Sequence, residues 1–467
     1  MSVVTSSELN YASPISQHSK IRMSRVLPQG ADNLTLSTGS TSQMTFELPN
    51  KVYNLSRSTL DWQMSVMDPP ASDFNALFTN AYPIDRIELF TRSGRHLCDI
   101  NNYAQYSRSV TPVVTKMSEF LAQDKNLGGS HASSAASAIT AAATAQKGGK
   151  IFRSDQVAGT DGVSNAGNGV RVAAGGATAD EANSLSYTDI NNFTQSPVDA
   201  VTGMNYSIPL SEIHHSLMSV DKTLYFGQSL MLRVHFVGSD RLGFILEETA
   251  GTTQPIVLAA ACAISRARVY LAVETNPLVV QGLVNRVQSQ GLQMVIPYVH
   301  HNLFSSSSGT ASNLQRKLNA ADGQRLLNVY HSVYHTTNTA SHTYDVSNVG
   351  EDKITSIETR LDNNNLQEFV PLSAQNEIYQ LQKPLLEDSV IATAQQFKYN
   401  QIWIDSFRNG KACDWKDMDT IIDGIPLDSE RIWQIDLATA AAAYRQYTWF
   451  VVQRTLSISP SGDIDIA

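Results

Sequence analysis

His331 and His335 stand four residues apart, the spacing that sets two imidazoles on one face of a helix within reach of one metal ion. The residues around them argue against that use: Val329 to Tyr334 reads as a strand, and no Glu follows His331 as it does in zinc proteases. The doublets His214-His215 and His300-His301 would send their side chains to opposite faces of an extended chain, so neither suits a shared metal. Cys98 lies near His96, with nothing beyond proximity to activate its thiol. Cys98, Cys262 and Cys413 are far apart and form no Cys-x-x-Cys pair, which points away from a disulfide framework or a zinc site and toward a reducing compartment. Gly148-Gly149-Lys150 is followed by Ile151 where a phosphate loop needs Ser or Thr for magnesium, and no Gly-x-Ser-x-Gly elbow occurs. Trp403, Trp433 and Trp449 could line a ligand box, but they fall in three late strands at positions where sandwich cores take large aromatics. No catalytic, cofactor-binding or metal site is expected, and the chain is predicted not to be an enzyme.

What positions these residues is a chain of 467 residues, enough for two or three domains. Hydrophobic residues make up 42% and charged residues only 16%, so much of the surface must be Ser, Thr, Asn, Gln and Ala, which suits burial against copies of itself. The net charge of −9 and the lack of any run of Lys or Arg disfavour a protein whose main task is gripping nucleic acid. Lys20, Arg22 and Arg25 are read as part of a solvated tail. Met1 to Leu9 lack the order of a signal peptide, and no apolar run approaches bilayer length, so synthesis in a cell's soluble interior is expected.

Residues 1–30 show no periodicity and are expected to form a flexible arm, with order beginning near Asn33. Alternation then marks strands. Met44, Phe46 and Leu48 share one face; after a Pro-Asn-Lys turn, Leu60, Trp62, Met64 and Val66 alternate with Asp61, Gln63 and Ser65. Residues 84–90 and 95–100 flank Ser93-Gly94 as a hairpin. Asn101 and Asn102 open a helix through about Gln123, kinked at Pro112. Residues 127–186 turn to Ala, Gly, Ser, Thr and Asn and cannot build a core. Strands resume at 204–210, 230–236 and 267–273. Asn276-Pro277 starts a helix through about Gln288 with Val280, Leu283, Val284 and Val287 on one face, ended by Gly291.

The second half repeats the plan. Strands are predicted at 292–304, 312–319 and 325–335; 354–361 should pair with 366–371 across Asp362 to Asn365; Ser373 caps a helix interrupted by Pro384; and strands follow at 402–407, 431–437 and 447–458. Tyr447, Trp449 and Val451 lie on one face of the last strand and Phe450 and Val452 on the other, so it should be covered on both sides. Ile84 corresponds to Ile354 and Leu230 to Ile432, and one insertion in the first copy explains the change of offset. About eight short strands per copy, with few helices between them, is the count of a jelly-roll sandwich. The predicted fold is all-β: two tandem eight-stranded jelly-roll sandwiches with short helices in the connections. The expected division is a flexible arm at 1–30, a first sandwich at 31–290 with an insertion at about 127–200, and a second sandwich at 291–467.

The segments FELPNKVYNLSRSTLDWQMSV, NALFTNAYPIDRIELFTRSGRHLCDI and NNYAQYSR, within 42–108, resemble the first jelly roll of double jelly-roll major capsid proteins, in the flavour of Polinton-like viruses, adintoviruses and virophages. IPLSEIHHSLMSVDKTLYFGQSLMLRVHF at 208–236 is similar to that family's later strands, and YTWFVVQRTLSISPSGDIDI at 447–466 to its C-terminal strand. The likeness spans most of the chain and lies in pattern and order. It implies a structural protein of an icosahedral DNA virus, made inside the infected host cell and residing in the virion shell. Homotrimers there present six sandwiches as a pseudo-hexagonal capsomer, contact neighbouring capsomers, penton and minor or cement proteins, and use no sequence-specific nucleic acid binding. The insertion at 127–200 would rise in a tower, and the N-terminal arm would face inward toward an internal membrane or minor proteins. The rival from another class is a jelly-roll receptor- or carbohydrate-binding viral surface protein, which the internal duplication disfavours; a cupin-type enzyme would need converging His and Glu spacing that is not present.

Overall fold

The computed structural model describes residues 19–66 except 38 and 40, 83–116, 204–238, 262–306, 311–335, 354–367, 375–392 except 390, 402–417 except 409, 424–439 and 444–467, with short strand segments at 74–77, 132–133, 164–165, 171–172, 243–247 and 253–257. Eight principal strands make the first half: β1 (Ile21–Val26), β2 (Ser42–Leu48), β3 (Val52–Val66), β4 (Ile84–Thr91), β5 (His96–Asn101), β6 (Met204–Pro209), β7 (Leu230–Phe236) and β8 (Cys262–Glu274). They pair antiparallel in two sheets, ordered β1-β8-β3-β6 and β2-β7-β4-β5. The second half comprises β9 (Leu292–Ser306), β10 (Ala311–Leu318), β11 (Arg325–His335), β12 (Ile354–Leu361), β13 (Asn364–Asn365), β14 (Ile402–Ser406), β15 (Arg431–Thr439) and β16 (Tyr444–Ile458). Their sheets are ordered β9-β16-β11-β14 and β10-β15-β12-β13. Adding eight to each strand number of the first half reproduces the second.

The strands follow from alternation. In β7, Leu230, Leu232, Val234 and Phe236 are buried while Met231, Arg233 and His235 are half-buried, the pattern of a pleat with one face on a core. Across that core Phe236 meets Trp62 of β3 edge-on at 6.3 Å. Each such fully buried side chain contributes about 1.5–3 kcal/mol. The pairing registers sharpen the repeat. Leu230 lies opposite Thr91 and Trp433 opposite Leu361, so β15 follows β7 by 203 positions where β12 follows β4 by 270.

Among the described residues three α-helices occupy connections: α1 (Tyr103–Val114), α2 (Pro277–Gln290) and α3 (Gln375–Leu386). α2 joins the halves with the cap, proline and glycine its residues predict, but it buries Val279 and leaves the expected Val280 and Val284 half-buried. Asn276 caps it by accepting from Leu278 N–H, Pro277 opens it, Val279, Leu283 and Val287 are buried, and Gly291 ends it at a φ of 72°. A Cβ at Gly291 would sit 2.6 Å from the Ile458 carbonyl oxygen, so this position is closed to larger residues. α1 ends at Val114, two residues past Pro112, and the expected continuation from 117 to 123 lies outside the described residues. α3 runs through Pro384 and ends two residues later; Ser373, expected as its cap, lies outside the described residues. Among the described residues no helix is long and apolar enough to cross a membrane.

Three expectations are corrected. Residues 21–26, assigned to the arm, form strand β1 on the edge of β8. None of its side chains is fully buried, so it carries no apolar stripe for a periodicity argument to find. Its anchor is Glu274, whose carboxylate accepts from the backbone N–H groups of Lys20, Thr275 and Asn276 at 2.8, 2.9 and 2.8 Å. Second, β3 begins at Val52, directly after the Pro-Asn-Lys turn, eight residues before the alternation at Leu60 becomes clear. Third, the second hairpin turns on two residues instead of four. Asp362 and Asn363 have φ of 51° and 65°, the paired positive values of a type I′ turn, so β13 is only Asn364–Asn365, and residues from 368 lie outside the described set. Asp362 also accepts from Ile432 N–H at 2.9 Å, holding the turn against β15.

Candidate functional site

The strand predicted to be covered on both faces is β16, and it forms the seam between the halves. Phe450 points inward and meets Trp433 edge-on at 5.2 Å within the second sandwich. Tyr447 and Trp449, stacked at 5.9 Å, take the opposite face, where Tyr106 of α1 meets Trp449 edge-on at 5.6 Å. All five of these aromatics are buried. The apolar side chains of both sandwiches consequently belong to one continuous core.

Polar groups complete the seam. His215 sits in the turn after β6 with a φ of 52°, so the doublet His214-His215 is not extended and the opposite-face argument does not apply to it. Tyr106 OH donates to the His214 carbonyl at 3.1 Å and lies 2.8 Å from His215 Nδ1; Tyr330 OH lies 3.4 Å from His215 Nε2 and 3.2 Å from Asn328 Nδ2. These contacts fit a neutral imidazole with Nδ1–H donating to Tyr106 and Nε2 accepting from Tyr330. Burial, with His214 and Arg408 nearby, holds its pKa well below the ordinary histidine value. His301 of β9 stacks on Tyr447 at 6.0 Å and lies 5.9 Å from Trp449, and burial pushes its pKa down to about 4.

Among the described residues, the other candidate histidines and Cys98 form no common site. His300 is on the adjoining position of β9, its Nε2 at 2.8 Å from the Asp322 carbonyl. His331 is buried in β11 beside Thr448, Nδ1 to Oγ1 2.8 Å, and the side chain of His335 lies outside the described residues. Cys98 is buried and its thiol is pushed far up by burial, the opposite of an activated nucleophile. Gly148 to Ile151 lie outside the described residues. The three tryptophans split: Trp449 faces the seam, whereas Trp403 and Trp433 both donate to one carboxylate, that of Asp405, at 2.9 and 2.7 Å.

Asp405 was not legible in the sequence. It is buried in β14 and also accepts from Thr359 Oγ1 at 2.8 Å, so one acid ties β12, β14 and β15 across the two sheets of the second sandwich. Burial raises its pKa, and the bonds from Trp433, Thr359 and Trp403 work against that rise. A cavity of about 340 Å³ borders it, lined among others by Gln367, Leu381, Gln382 and Phe407. A second cluster lies on the first sandwich: Glu88, with a side chain 3% exposed, pairs with Arg86 at 2.9 Å, Arg233 at 3.5 Å and His235 at 2.6 Å, while Arg86 grips Asp99 through two 2.7 Å bonds. Donor atoms of Glu88, His96 and Asp99 lie within 4.8 Å of one another. The guanidinium of Arg86 already supplies positive charge to both carboxylates there, which works against a divalent cation.

No family model matches the sequence, and no curated protein matches it. Solved structures do match. PBCV-1 VP54, as fitted into a reconstruction of the virophage Sputnik, aligns over 96% of this chain and 97% of its own at a TM-score of 0.52 and 9% identity. The fold is a double jelly roll. A Sputnik virophage chain aligns over 96% of this chain and 88% of its own at a TM-score of 0.51 and 11% identity, and the Faustovirus major capsid protein over 94% and 90% at 0.51 and 9%. At such identities the likeness is one of fold.

Proposed function

We propose that the chain is a major capsid protein, a structural and non-catalytic subunit whose homotrimers form pseudo-hexagonal capsomers of an icosahedral virion shell. The observation that carries this reading is the repetition of one strand order in two sandwiches locked by a buried aromatic seam. A rigid pair of like sandwiches fills two of six places, and three copies close a ring whose outline tiles a facet. The likeness in fold to the Faustovirus major capsid protein and the PBCV-1 capsid supports it, as does a chain in which only 16% of residues are charged.

The proposed division is an N-terminal arm ahead of β1, a first jelly roll from β1 to about 290, and a second from 291 to 467. Residues 127–200 contribute to a tower. In support, the connections after β3, β5 and β7 leave the same end of the sandwich, and Phe74–Leu77, Ala132–Ser133, Gly243–Glu247 and Thr253–Val257 within them pair as a separate sheet. The partners in this reading are further copies of the chain, penton and minor or cement proteins, and an internal membrane faced by the arm. The subunit is made in the infected host cell and resides in the virion.

Native mass measurement of the purified full chain tests the reading. A species at three times 51.1 kDa is expected, and a monomer at every concentration overturns it.

A further inference from the structure

Two histidines join the sandwiches, and the assembly reading uses neither. His215 bridges Tyr106 of α1 in the first half and Tyr330 of β11 in the second. His301 of β9 lies against Tyr447 and Trp449 of β16, with Asn102 Nδ2, at the start of α1, 3.5 Å from its Nε2. Both are therefore inside the joint, at the places where α1 touches the second sandwich.

The surroundings of His215 disfavour a charged ring. Phenols contact both nitrogens, and the charges acting on it, His214 and Arg408, oppose another positive charge. Among the described residues, the neighbours of His301 include two aromatic rings and an amide, and the attraction of Asp99 is outweighed by burial. A proton taken up at either ring puts charge into an aromatic layer; separating the faces returns that ring to water, where its pKa is about 6.5.

We propose that the seam is an acid-sensitive joint, closed while His215 and His301 are neutral and opening when both are protonated. The sign follows from linkage. The closed joint binds fewer protons than the open one below about pH 6.5, so its stability is full above that pH and falls as the pH drops. Between pH 7.5 and 5.0 each histidine shifts the opening equilibrium about thirtyfold, and the two together about a thousandfold. The joint lies within one chain, so its failure would leave the trimer reading untouched.

Hydrogen exchange on the full-length protein at pH 7.5 and 5.0, corrected for intrinsic rates, tests this. Expected at pH 5.0 is loss of protection in the helix 103–114, whose face leaves the second sandwich, while the sheet strands at 230–236, 431–438 and 446–452, the last bonded to both β9 and β11, stay protected. Loss in all four together would report unfolding of whole sandwiches, including that driven by the interior His331, whose pKa burial pushes down to about 3, and would overturn the proposal. So would unchanged protection at the seam. The double variant His215→Asn, His301→Phe should keep the seam closed at pH 5.0: Asn tolerates the positive φ, and Phe preserves the stack on Tyr447. Opening of the variant at the wild-type pH overturns the idea. If the variant does not fold, the wild-type pH slope decides, with close to two protons per opening event expected near pH 5 and fewer than one there contradicting the joint.

Discussion

Glu88 of β4 and Glu358 of β12 occupy the same step of the repeat, 270 positions apart, but the two sandwiches treat the position and its neighbour differently. Glu88 is almost fully covered and held by Arg86, Arg233 and His235; Glu358, 17% exposed at its side chain, pairs with Arg360 at 3.0 Å. One residue on, Leu89 fills the first interior with a purely apolar side chain, whereas Thr359 in the second donates to buried Asp405. The first sandwich thus keeps its buried acid on an outer sheet face among cationic partners. The second keeps its acid inside, solvated by two indole N–H groups and a hydroxyl. One strand order accommodates either solution, because topology fixes which positions face inward and leaves the means of satisfying a buried polar group to the local side chains.

The severest challenge strikes the layer both sandwiches share. Trp449→Asp buries an unpaired charge in the seam and should destabilise the protein by more than about 5 kcal/mol, leaving no soluble folded chain on expression; a native, soluble product would contradict the placement of that strand. Asp405→Ala orphans three donors at once and should lower stability by about 3–5 kcal/mol in denaturant titration followed by tryptophan emission, with Asp405→Asn losing less. An unchanged midpoint for Asp405→Ala would erase the contrast between the interiors. Glu88→Gln should lose about 1–2 kcal/mol by the same titration, because its partners stay partly hydrated and the amide still accepts from them. Arg95→Ala removes an exposed ion pair to Asp465 and should change stability by less than about 0.5 kcal/mol; a larger loss would mean that this contact between the halves carries more than its exposure implies.

Much of the fold was legible where one face of a strand is buried and the other is wet. β4, β7, β11 and β12 fall within a residue of where alternation puts them, and α2 is bounded by its own cap, proline and glycine. β1 was hidden because an edge strand with no buried side chain has no periodic signature. The turn of the second hairpin was misjudged in length: Asp and Asn adopt left-handed backbone readily, and a run of four such residues does not say which two will turn. The site was less legible than the fold. The opposite-face argument for histidine doublets holds only for extended chain: it applies to His300-His301, whose partners differ, and not to His214-His215, which lies in a turn.

By itself the sequence determined the all-β class and the duplication, because hydrophobic period and strand order are local or additive properties of the chain. Only the tertiary structure decided that Trp403 and Trp433 share Asp405 while Trp449 faces the other half, and that His215 links two tyrosines 224 positions apart. Such groupings depend on which sheet face meets which. That is set by the packing of whole layers, where residues distant in sequence are brought within hydrogen-bonding reach and no spacing along the chain announces the encounter.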